Sequence, residues 1–339
     1  MSVAHSKIEW TASTWNPSFG CDKISPGCKF CYAEHPVATR LRRPFSFGLR
    51  PKDLAEPLHW RKPRLVFVDS LSDLFHERMP AQYIELVYEV MKKADWHVYQ
   101  ILTKRAWAMK NLMNYCYTPP FAPTFPDVPY WAKGETFSDF CGVKDPDKHY
   151  YSRLKHVWHG VSVEDRKWGL PRIKCLQETN CAHRFLSIEP LLEDLGTLDL
   201  AGVEWVIIGG ESGQKARPCD IGWIYPILRQ CREAGVPVFV KQLGNNPVFG
   251  TARDAGSKLN WKGDNIEEFP EDLRIREFPK EMEVLRAALD GQDADVHVHP
   301  APVPSGDEAA SADSERFSDV HAHSDISKPE AEGGQWGGR

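Results

Sequence analysis

The sequence predicts an α/β protein: a partial (β/α) barrel of parallel strands with a disordered C-terminal tail. Three observations predict it. Apolar runs of strand length alternate with amphipathic helical stretches, the pattern of βαβ units. Every strand after the first is followed at once by a polar or ionisable residue: Asp69, Lys104, Glu164, Glu189, Glu211 and Lys241 in turn. A loop with three cysteines follows the first strand.

Residues 7–16 (KIEWTASTWN) read as a short strand entering the cysteine loop. Trp10, Trp15 and Asn16 flank that loop and read as core and loop packing. Pro36 suits a first helical turn that VATRLRR continues, and residues 44–63 are proline-rich and irregular. The apolar run 64–68 is a buried second strand, ending in DSLSDLFH. Its loop histidine, His76, is a ligand, a proton donor or neither, and a lone loop histidine is most often neither. Residues 80–95 carry helical periodicity with Pro80 at a first-turn position. Residues 97–102 form the third strand, and a helix follows to about Tyr115. Residues 117–155 hold prolines and aromatics without a period and read as an insertion. The alternation resumes with strands at 156–161, 183–188, 203–208 and 236–240, and helices at about 168–179 and 221–234. Gly235 ends the last of these helices. The barrel is expected over 1–287 and the acidic tail over 288–339.

The tail is rich in Asp, Glu, Ser, Ala, Pro and Gly, a composition that cannot bury enough apolar surface to order itself. Of the net charge of −5, the residues from Asp290 onward hold −8 (eleven acids, three bases), so residues 1–289 are about +3. Residues 36–64 hold eight Lys/Arg, all within 40–64, against two acids, with Phe45, Phe47 and Trp60 interleaved. Basic residues spaced by aromatics suit phosphates and bases, so nucleic acid is a candidate partner; the bland alternative is a solvated basic face. His297, His299, His321 and His323 in the tail receive no role.

Nine cysteines in 339 residues is neither the density nor the parity of a disulfide scaffold. Cys116, Cys141, Cys175, Cys181, Cys219 and Cys231 read mostly as small core residues in a reducing cytoplasm. The N-terminus lacks an apolar signal region, and no apolar run reaches membrane-spanning length. A cytoplasmic protein is expected.

Six strands in six ending in ionisable residues place those side chains at the carboxyl ends of parallel strands. In β/α barrels the active site is built there. The cysteine loop opens on the same face. Cys21, Cys28 and Cys31 have the spacing C-x6-C-x2-C on a loop broken by Pro26 and Gly27. Thiolates are soft ligands suited to iron–sulfur clusters and zinc. Three cysteines leave one iron of a [4Fe–4S] cluster free for a small molecule. The alternatives are a zinc site completed by His35 and three reduced thiols.

The segments KIEWTASTWNPSFGCDKISPGCKFCYAE, VFVDSLSDLFHE, YQILTKR, HGVSVED, RFLSIEPLL, VIIGGESG-x3-RP and VFVKQLG together resemble the phage Gp37/Gp68-like family, a domain of unknown function. The resemblance runs from about Lys7 to about Phe278. That family is in turn similar to radical S-adenosylmethionine (SAM) enzymes, with a cluster loop after the first strand and an aromatic, here Phe30, before the third cysteine. The first gap is six residues where the usual radical SAM pattern has three. Gly209-Gly210-Glu211 follows the sixth strand, whereas the glycine motif of those enzymes follows the second.

The resemblance implies a [4Fe–4S] cluster on Cys21, Cys28 and Cys31, SAM as co-substrate, and a flavodoxin- or ferredoxin-type reductant. Asp69, Ser70, Asp73, Arg105 and Glu164 are the candidate cofactor contacts, with Gly209 and Gly210 admitting a ligand close to the backbone. Lys104, Glu189, Glu211 and Lys241 are the candidate catalytic residues. Cys219 is a radical relay or a core thiol. The competing function is a zinc-stabilised nucleic-acid-binding protein without redox chemistry.

Overall fold

The computed structural model describes residues 6, 8–34, 44–114, 150–249 and 263–289. The expected helix after Pro36, most of the insertion, Cys116, Cys141 and the acidic tail beyond Leu289 lie outside the described residues.

Seven strands build one sheet: β1 (Ser13–Trp15), β2 (Leu65–Val68), β3 (Val98–Thr103), β4 (Val157–Ser162), β5 (His183–Ile188), β6 (Trp205–Gly209) and β7 (Val238–Gln242). Their order in the sheet is their order in the chain, and every pair is parallel. Each crossover thus moves one strand along in the same direction, the winding of a β/α barrel. β1 and β7 do not pair with each other, so the barrel is partial. The central strands are buried on both faces, which is why LVFV, VWHGVS and WVIIG read as continuous runs and not as alternations.

Helices α1 (Ala81–Lys93), α2 (Ala106–Asn114), α3 (Arg166–Gln177) and α4 (Ile224–Ala234) fill crossovers. Pro80 stands just before α1, and Asp165 caps α3 by accepting from the Trp168 backbone N–H. α5 (Lys280–Leu289) runs two residues past the expected barrel boundary at 287.

The first strand is shorter than expected. The chain turns where Thr11 N donates to the Ile8 carbonyl, and the turn drops Trp10 into the barrel interior. There Trp10 meets Phe67 (4.7 Å), Phe185 and Trp205 (both 6.3 Å). Phe278 from the segment before α5 closes on Trp205 (5.3 Å) and Phe239 (5.2 Å), with Met282 and Leu285 in the same cluster. Trimming one such ring to alanine costs about 3–5 kcal/mol. The free edge of β7 is covered by residues 275–277: Val240 N donates to the Ile275 carbonyl and Glu277 N to the Val238 carbonyl. No described helix is long and apolar enough to cross a membrane.

Candidate active site at the strand ends

The cysteine loop is clamped over the carboxyl ends of the strands. It leaves β1 through Ser18–Phe19, which pairs antiparallel with Gly48–Leu49. Gly20 N donates to the Leu71 carbonyl, and Ser72 Oγ donates to the Gly20 carbonyl at 2.8 Å. The Tyr32 hydroxyl donates to the Ser70 carbonyl at 2.7 Å. Pro26–Cys28 forms one 3-10 turn. At its centre a Cβ on Gly27 would stand 3.0 Å from Glu164 Cδ and 3.1 Å from Lys104 Cε, so a larger residue would have to push these side chains back. Ser25 Oγ donates to Glu164. The Arg217 guanidinium, from the loop after β6, lies 5.6 Å from the Phe30 ring.

On the β2–β3 side the ionisable residues are committed to the scaffold. Asp69 adopts a left-handed backbone (φ +56°), and its two carboxylate oxygens accept from Ser18 N and Ser18 Oγ, both at 3.0 Å. Burial pushes its carboxyl up to about 7. Ser70 Oγ donates to Asn16 at 3.0 Å. Asp73 accepts from Thr103 Oγ1 (2.7 Å), Phe75 N (3.0 Å), Lys104 N (3.3 Å) and Arg105 Nη1 (3.2 Å). Arg105 also binds Glu77 (2.8 Å), the Asp22 carbonyl (3.2 Å) and Cys21 Sγ (3.4 Å). The four expected cofactor contacts here thus act as struts that carry the loop. His76 is buried, stacked on Phe47 at 4.3 Å, with its Nε2 3.2 Å from Asp22 but without hydrogen-bond alignment.

On the β4–β7 side each acid faces a basic partner. Glu164 is fully buried against Arg172 (2.5 Å). Burial would raise its carboxyl, but Lys104, Arg172 and the Ser25 hydroxyl outweigh it and hold it below the usual range. Lys241 Nζ stands 2.9 Å from Glu189 Oε1. That oxygen takes no aligned hydrogen bond, so its partner is the charge. Burial opposes the Lys241 ammonium, yet Glu189 keeps its pKa raised. Lys241 lies within β7, not after it. Glu211 binds Arg217 through two side-chain contacts, 2.9 and 2.6 Å. The close approach expected of a ligand at Gly209 and Gly210 is made by protein. A Cβ on Gly209 would stand 2.6 Å from Glu189 Oε1, and one on Gly210 would meet the Leu243 carbonyl.

Cys21, Cys28 and Cys31 are half-buried free thiols on this face. Burial first, then Asp73, pushes the Cys21 thiol up to about 12 against the pull of Arg105. Among the described residues no three His, Cys, Asp or Glu side chains converge on one metal-ion position, and His35 lies outside them. Cys219 is buried, its thiol pushed up to about 12 by burial, as suits a core residue. Of the basic stretch, Phe45 packs edge-on to Phe19, Phe47 on His76, and Trp60 is buried. Sequence reasoning missed Ser25, Glu77, Arg172 and Arg217. Arg217 alone carried a signal, six residues past Glu211 in a glycine-rich loop.

Fold and site together define a parallel α/β half-barrel with a three-cysteine loop held over its charged rim. The chain belongs to the family described as protein of unknown function, DUF5131, whose model matches residues 5–270. No curated protein matches the sequence. Among solved structures it is similar to spore photoproduct lyase complexed with dinucleoside spore photoproduct, at 10% identity and a TM-score of 0.34, over 68% of this chain and 64% of that one. A variant of the same lyase with bound AdoMet and the dinucleoside spore photoproduct gives 11% identity and a TM-score of 0.33, over 61% of this chain and 58% of that one. This chain thus spans less than two thirds of those lyase chains. A likeness of this degree is too slight to carry a reaction or a substrate.

Proposed function

We propose that this protein is a radical SAM-type enzyme in which Cys21, Cys28 and Cys31 hold a [4Fe–4S] cluster beside a charged substrate mouth. One observation carries the reading: the three-cysteine loop is fastened to the ends of β2, β3, β4 and β6, beside the ion pairs. The donor set fits the group. It offers three soft thiols, with Arg105 donating to one of them. A single tetrahedral ion would need four ligands about one point, whereas a cluster spreads its thiolates over separate irons.

The cluster with SAM supplies a one-electron cleavage that yields a hydrogen-abstracting radical. Arg105 holds Cys21 in place and offsets its negative charge on ligation. Lys104 and Lys241 are the cations for a carboxylate or phosphate. Glu189 accepts from an ammonium or hydroxyl when Lys241 turns to the ligand. With its pKa raised by Glu189, Lys241 keeps its proton at neutral pH and donates hydrogen bonds from a charged Nζ. Glu164, sealed by Arg172, positions Ser25 and the loop. Arg217 holds Glu211 and caps Phe30. A flavodoxin- or ferredoxin-type protein is the proposed electron donor. The exposed Lys52, Arg61 and Lys62 support residues 40–64 as a phosphate-holding face.

The test is anaerobic reconstitution with iron and sulfide, followed by iron analysis, absorbance, and EPR of the dithionite-reduced protein with and without SAM. A brown protein whose reduced signal shifts with SAM is expected. Alanine at Cys21, Cys28 or Cys31 abolishes the colour, and alanine at Cys219 does not. A colourless protein holding one tight zinc per chain sinks the reading in favour of a zinc-stabilised binding protein.

A further inference from the structure

Two indoles stand exposed beside the mouth: Trp107 is 52% exposed and Trp168 38%. Each lies in the first turn of its helix, α2 and α3. Arg105, two residues before Trp107, holds Cys21, and Glu164, four residues before Trp168, holds Ser25. The two helices pack together: Lys110 meets Glu178 at 2.7 Å, and Asn114 Nδ2 donates to the Glu178 carbonyl at 2.6 Å. Trp107, Lys110 and Asn114 fall at i, i+3 and i+7, one stripe of α2. Trp168 and Cys175, seven residues apart, share one stripe of α3, and Glu178 is its C-cap. The two packed helices thus each carry an exposed indole in the turn nearest the strand ends.

Each indole has an ammonium near its ring, Lys110 at 4.4 Å from Trp107 and Lys167 at 5.7 Å from Trp168. Among the described residues neither ring packs against another aromatic. A protein- or lipid-docking patch would continue as apolar surface. Here exposed Arg166 and Lys167 lead into Trp168, and Lys104 precedes Trp107. Flat π faces set among cations are the means by which unpaired bases and their phosphates are held together.

We propose that the mouth end of the α2–α3 helix pair binds single-stranded nucleic acid, with Trp107 and Trp168 stacking on unpaired bases and Lys104 and Lys167 holding phosphates. This deepens the radical reading by giving it a substrate class. Binding itself needs no cluster, so the two fail separately: a protein without iron still binds the strand, and a protein that binds no strand still shows the SAM-shifted signal.

The test is fluorescence anisotropy of the full-length protein with a labelled oligothymidylate of about a dozen nucleotides, and with the matching duplex. The single strand is expected to bind more tightly. Trp107→Ala and Trp168→Ala each weaken binding about fivefold to a hundredfold, the equivalent of one lost base stack. Trp107→Phe and Trp168→Phe keep most of the affinity, since a ring remains. Unchanged affinity in the Trp107→Ala/Trp168→Ala double variant, equal binding of duplex and single strand, or no binding by the wild type overturns the proposal.

Discussion

The two sides of the mouth carry similar residues in different states. At β2–β3, Asp69, Asp73 and Arg105 are buried, and each makes several hydrogen bonds to the cysteine loop or its supports. Toward β5–β7, Glu189 and Lys241 have one strong partner each and keep 14% and 20% of their side chains in solvent. A group with several fixed partners holds geometry. A group with one exchangeable partner can give it up to a ligand. On the function proposed above, the first side would mount the loop and the second would receive its ligand.

The largest expected effect that tests this division is at Arg105. Arg105→Ala leaves Asp73 buried without its cation, which costs about 3–5 kcal/mol. Denaturant unfolding should show that loss, with iron retention falling alongside. A loss under about 1 kcal/mol would make Arg105 a surface-like residue and erase the contrast. Gly27→Ala should cost about 1–3 kcal/mol by overpacking the loop against Glu164 and Lys104, read as a lowered melting temperature. An unchanged melt would mean that the loop is free to lift.

The pH dependence of Asp69 sharpens the comparison further. Its carboxyl titrates near 7 in the fold against an ordinary 3.8. The folded state keeps this proton where the unfolded chain has lost it, so the contribution is full below about pH 4 and is lost as the pH climbs through about 7. Unfolding free energy measured across that window should fall, and Asp69→Asn should flatten the decline. A smaller effect on stability than at Arg105 is expected at Lys241→Met, about 1–2 kcal/mol, since the pair keeps some contact with solvent. Its SAM affinity, measured by calorimetry on the reconstituted protein, should nonetheless fall about tenfold or more. A large stability loss with unchanged affinity would move Lys241 to the scaffold side.

Much of this was legible in the sequence. Strands buried on both faces must be continuous apolar runs, so all seven were found. Parallel strands deliver the residue after each run to one rim, so the strand-end positions of Lys104, Glu164, Glu189 and Glu211 were legible as well. The state of each residue was not legible, because it depends on partners brought from elsewhere. Cys21 and Arg105 are 84 positions apart, and Arg172 reaches Glu164 from the following helix. The length of β1 was missed because KIEWTASTWN suits a strand locally, and only the interior's demand for Trp10 turns the chain. Nothing in the sequence separates Trp107 and Trp168 from ordinary helix residues; their exposure does.

The barrel floor joins the two ends of the described chain: Trp10 and Phe278 meet on either side of Trp205. A ribosome that has delivered every strand has not yet delivered the residues that seal them, nor the cover over the edge of β7. Local βα units can form as they emerge, but closure waits for a contact of very long sequence separation. A chain released near residue 270 would carry every candidate catalytic side chain on an unsealed apolar interior. It is expected to aggregate on emergence instead of surviving as a weakened enzyme.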